Sequence, residues 1–140
     1  MKTWYGSVPE DGSFYILSRL AALEGTGSEY VAGEGNVLKQ ADVSTITCKV
    51  YSLGTNKDNE SGTEVTPAPT LTAAANLFDT LRTVGWPTGD DCYGYNFRHD
   101  VGPTYVPNPE EWYLLEYKIT LTGGGVVWMS VKVKTGRITT

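Results

Sequence analysis

The sequence predicts a single all-β domain built as an antiparallel β-sandwich. Apolar and polar residues alternate with period two in five separate stretches, the pattern of strands with one buried face. Glycine occurs 16 times and punctuates those stretches with turns. No βαβ rhythm links them, so sheets packed face to face are the expected architecture. At 140 residues the chain fits one domain spanning 1–140, and 40% hydrophobic residues suffice for a core.

Residues 1–12 read as an N-terminal arm carrying Trp4, Tyr5 and Pro9. The first alternating run is Ser13 to Leu20, with Phe14, Ile16 and Leu20 set against Tyr15, Leu17 and Arg19. A glycine-rich loop, Glu24 to Gln40, follows. The second run is Val43 to Leu53, with Ile46, Cys48 and Val50 inward and Thr45, Thr47 and Lys49 outward. Gly54 to Pro69 is polar and reads as an exposed loop.

Thr70 to Val84 supports two readings. Leu71, Ala74, Ala75, Phe78, Leu81 and Val84 recur at helical spacing, Thr70 or Thr72 is placed to cap, and Gly85 and Pro87 are placed to stop a helix. That predicts one short helix or helical turn; the rival is an edge strand over Leu71 to Leu81.

The third run is Tyr93 to Val101. Tyr93, Tyr95, Phe97, His99 and Val101 share one face, and Asn96, Arg98 and Asp100 take the other. After a proline-bearing connection comes Trp112 to Thr122, with Tyr113, Leu115, Tyr117, Ile119 and Leu121 inward. Gly123, Gly124 and Gly125 then turn the chain into Val126 to Lys134. There Val127, Met129, Val131 and Val133 point inward and Trp128, Ser130, Lys132 and Lys134 outward. Two matched alternating strands around three glycines predict a hairpin.

A formal net charge of −5 and a sequence pI near 4.8 argue against a nucleic-acid partner and against a polybasic membrane surface. No apolar stretch approaches the ~20 residues that span a bilayer. The first residues lack the apolar region of a secretory signal, so synthesis in a cytoplasm is expected. Cys48 and Cys92 fit no zinc spacing and read as buried thiols, with a disulfide as the alternative.

No constellation of residues points to catalysis, a metal or a cofactor. His99 is the only histidine, and its parity places it on an apolar strand face as a core residue rather than a general base. Asp90 and Asp91, with Asp79 or Asp100, are weak candidates for a carboxylate pair. Asp58, Asn59 and Glu60 lack EF-hand spacing. The glycine pairs at 25–27 and 33–35 lack the Lys-Ser/Thr of a phosphate loop. The tryptophans are more informative. Trp128 faces outward by parity, which marks an interface unless a loop or the N-terminal segment covers it. Trp4, Tyr5, Trp86 and Trp128 are therefore the candidate interface residues. A groove lined by Trp86 and Tyr105 would instead suit a carbohydrate or cell-surface ligand.

The strand, proline-bearing loop, Tyr-x-Leu-x-Tyr-x-Ile-x-Leu run, glycine turn and Val-rich strand of the C-terminal third resemble the last three strands of bacterial and phage immunoglobulin-like domains. In that resemblance Tyr113 takes the tyrosine-corner position. Ala41 to Leu53, Leu77 to Leu81 with Trp86, Gly94 to His99 and Trp112 to Tyr117 are together similar to a family of small phage and prophage virion-type proteins. The resemblance implies an immunoglobulin-like β-sandwich acting as a virion structural protein, first as a capsid decoration (cement) protein and next as a tail or baseplate component. It implies other virion proteins, the major capsid protein or tail proteins, as partners, and a homo-oligomer within an assembly. It carries over no catalytic residue. In this reading residues 1–12 and the Gly54 to Pro69 loop are the contact elements.

Overall fold

The computed structural model describes residues 2–9, 13–20, 37–86 and 94–136, with the backbone alone for 2–9. The described residues form eight strands: β1 (Lys2–Pro9), β2 (Phe14–Ser18), β3 (Val43–Gly54), β4 (Thr63–Val65), β5 (Leu77–Arg82), β6 (Tyr95–Val101), β7 (Trp112–Leu121) and β8 (Val126–Gly136). One helical turn, α1 (Ala73–Asn76), precedes β5. The strands form a five-stranded sheet in the order β1-β8-β7-β3-β4 and a three-stranded sheet in the order β2-β6-β5. Pairing is antiparallel throughout, except that β1 runs parallel to β8.

The alternating runs become strands because each offers one apolar face to a shared core. Ile46, Cys48 and Val50 from β3, Tyr113, Leu115, Tyr117 and Ile119 from β7, and Met129, Val131 and Val133 from β8 pack with Ile16, Leu77, Phe97 and Val101 of the smaller sheet. Val127 is only partly buried at the margin of this cluster. Register slips in β3 between Val43 and Thr45 and between Ser52 and Gly54 restore inward pointing at Val43 and Leu53, which simple alternation misplaces.

The ambiguous stretch is both helix and strand. The Thr72 hydroxyl accepts from the Ala75 N–H (3.1 Å) and the Asn76 side chain accepts from the Thr72 N–H (2.9 Å), so one turn is capped. Asn76 then donates to the Arg98 carbonyl (3.0 Å) and Leu77 enters the core fully buried, which converts the chain to β5. Gly85 therefore ends no helix; it lies in the turn after β5, where the Trp86 N–H bonds the Thr83 carbonyl.

Two expectations are corrected. Residues 2–9 are not a free arm: they pair with Met129 to Gly136 of the same chain along the whole of β1. The stretch Gly54 to Pro69 is not loop throughout, since it carries the short strand β4. Asn56 accepts from the Asp58 N–H, Asn59 accepts from the Ser61 N–H and donates to the Leu53 carbonyl, and Thr63–Val65 pair with β3.

Candidate functional site

The sequence singles out His99, and the core contains it. β6 projects His99 inward with 5% of its surface exposed, and β7 projects Tyr117 toward it from the opposite sheet. His99 Nδ1 lies 2.6 Å from the Tyr117 hydroxyl, and Cys48 on β3 stands beside Tyr117 in register. Burial pushes the imidazole from 6.5 down to about 4 and the thiol from 9.0 up to about 12, and holds the Tyr117 phenol well above its ordinary value. All three groups are therefore neutral at pH 7. The phenol donating to Nδ1 satisfies the Tyr117–His99 pair, and the thiol donates to the Lys49 carbonyl (4.0 Å). The arrangement positions a core; its thiol lacks the thiolate character that nucleophilic chemistry requires.

Asn96, outward by parity, is fully buried. Its side chain accepts from the Leu20 N–H (2.7 Å) and donates to the carbonyls of Leu20 (3.0 Å) and Leu38 (2.8 Å). It thus fastens Leu20 and Leu38 to one side chain of β6. No sequence signal separated it from an exposed strand asparagine. Of the other acidic candidates, Asp79 accepts from the Gln40 N–H, Asp100 pairs with Arg98, and Asp90 and Asp91 lie outside the described residues, as does Cys92. Cys48 is a free thiol. Among the described residues, no group of three His, Cys, Asp or Glu side chains is placed to hold a metal ion.

The candidate interface residues lie apart. Trp128 is 45% exposed on the outer face of the five-stranded sheet, opposite Lys118 of β7, whose Nζ lies 5.6 Å from the ring centroid. Trp86 is half-buried and stacks on Tyr95 (5.8 Å between centroids), while the Tyr95 hydroxyl donates to the Val84 carbonyl. Tyr105 follows the far end of β6 and packs against the core, so Trp86 and Tyr105 line no common groove. Trp4 and Tyr5 belong to β1, where they stand beside Val131 and Lys132; their side chains lie outside the described residues.

Register across β3, β7 and β8 assembles a surface that sequence reading missed. Thr47, Lys118 and Trp128 form one row, Lys49, Glu116 and Ser130 the next, and Tyr51, Leu114 and Lys132 a third. Trp112 and Lys134 continue it. Ser130 is buried within this face, next to Thr3 of β1. The outward parity of these residues was legible; which of them become neighbours depended on the strand order. No family model matches the chain, and no curated protein and no solved structure matches it either.

Proposed function

We propose that the chain is an immunoglobulin-like domain that works by binding rather than catalysis, as a virion structural protein that decorates an assembled capsid. The observation that carries the binding reading is the contrast between the two candidate sites. The sole histidine is engaged in the core, whereas Trp128 and its lysine neighbours stand exposed on a broad sheet. Support for the immunoglobulin-like assignment comes from the topology. The order β8-β7-β3-β4 matches strands G-F-C-C′ of such sandwiches, and β2-β6-β5 matches B-E-D. The Tyr113 hydroxyl accepts from the backbone N–H of Asn108, five residues upstream (3.0 Å), as a tyrosine corner does.

A small rigid sandwich suits repeated attachment, because many identical weak contacts add by avidity. Gold-tagged antibody against the chain, applied to particles purified from the cells that make it, tests this. Regular labelling of capsids supports the reading. Labelling confined to tails moves the domain to a tail or baseplate role. Absence from particles, together with binding to host glycans, overturns it in favour of a cell-surface binding module.

A further inference from the structure

We propose that the outer face of the five-stranded sheet is a docking surface for a carboxylate-rich surface of another protein. Lys49 and Lys118 are exposed there, as is Lys134, and half-buried Lys132 joins them. Glu116 is the one acidic side chain among them on β3, β7 and β8, and exposed Glu64 of β4 stands beside Tyr51 at the margin, so four lysines outnumber two carboxylates. The face is thus cationic on a chain whose formal net charge is −5, which leaves the remainder more acidic still. Lysines that merely kept the protein soluble would have no reason to gather on one sheet of an acidic protein.

The geometry selects the class of partner. Lys118 lies over the Trp128 ring, and Lys132 is held by a 2.6 Å bond from its Nζ to the Lys57 carbonyl. Both ammonium groups are therefore positioned before binding, which lowers the ordering cost of a contact. Trp128 supplies a large apolar anchor beside them, the combination found at protein interfaces. A second copy docking by the same face would set lysines against lysines, since a two-fold contact is self-complementary. Single-stranded nucleic acid needs bare rings for base stacking and an unbroken cationic track. Here Lys118 lies 5.6 Å from the Trp128 ring centroid, where it competes with a stacking base, and Glu116 and Glu64 interrupt the lysines. An acidic protein surface suffers neither conflict.

The inference concerns this face alone and holds whether or not the chain is a virion component. The test is a two-dimensional ¹⁵N NMR titration of the whole chain with a short poly-L-glutamate peptide at about 0.15 M salt, where charges beyond roughly 8 Å are screened. The expected result is saturable shifts confined to the amides of Lys49, Lys118, Lys132 and Lys134 and to the Trp128 indole N–H. Lys118→Glu combined with Lys134→Glu should weaken the fitted affinity roughly tenfold or more while leaving the spectrum dispersed. Lys39→Glu, a surface change elsewhere, should leave it unaltered. Absent shifts, or shifts elsewhere on the chain, overturn the proposal. So do larger shifts of the same face with oligothymidylate, which assign it to nucleic acid. Concentration-dependent self-association abolished by the double variant also overturns it, assigning the face to a second copy.

Discussion

The Tyr117 hydroxyl meets His99 Nδ1 at 2.6 Å across the gap between the two sheets, so one polar contact ties β7 to β6 inside the core. Burial lowers the His99 pKa from 6.5 to about 4. Above pH 6.5 the imidazole is neutral in both folded and unfolded chains, and its stabilising contact is fully present. Below pH 6.5 the unfolded chain takes a proton that the native chain refuses until about pH 4. This group alone should therefore cost roughly 3 kcal/mol of stability as pH falls through that window. Urea unfolding of the natural chain and of His99→Phe at pH 7, 5 and 4 measures it. The two should converge as pH falls; curves that stay parallel contradict the assignment. His99→Ala should also lower stability, yet leave surface binding near normal in protein that still folds.

Ile119 stands between Ile46 and Val127 in the five-stranded sheet and is fully buried. Ile119→Ala should cost about 2–5 kcal/mol, read as a shift of the denaturation midpoint at constant slope. A cost below about 1 kcal/mol would mean that the core is centred elsewhere.

Gly94 precedes β6 with φ +94°, and a Cβ there would overlap the Arg82 carbonyl oxygen. Gly94→Ala should destabilise by about 2 kcal/mol or more, because it adds both a clash with backbone and a disfavoured left-handed conformation. Gly123→Ala, where space is open and φ is not positive, is the matched control and should be close to neutral. Equal melting temperatures for the two variants would refute the account.

Removal of residues 1–9 deletes β1 and bares the edge of β8. The melting temperature should fall by about 10 °C or more, since even 1–2 kcal/mol shifts a chain of this size by several degrees. An unchanged melting temperature with lost assembly would restore the reading of this segment as a contact arm. Aggregation of the truncated chain is expected too, because an unpaired edge recruits other strands.

The inward faces of β3, β6, β7 and β8 were readable from alternation, because burial on one side of a pleat imposes period two directly. Tyr95, Phe97 and His99 are buried as their parity demands. β1 was not readable. Lys2 to Pro9 contains a glycine and a proline and lacks clean alternation, and what makes it a strand is the waiting edge of β8. Asn96 broke parity for a related reason: its partners Leu20 and Leu38 approach from loop ends whose path no local pattern encodes. Of the candidate interface residues, Trp128 was legible from parity. Its setting among Lys49, Lys118 and Lys132 required the register of three strands.

The parallel pairing of β1 with β8 also sets an order of events during synthesis. Lys2 is made before its partner Met129 and before every strand between them. β1 thus waits unpaired while β2 to β7 are made, and the larger sheet cannot close until β8 is free of the exit tunnel. Contacts so distant in sequence slow folding, since the loop entropy must be lost before they form. A chain halted before β8 would carry Trp4 and Tyr5 without their strand, in need of a chaperone for the time that the rest takes to arrive.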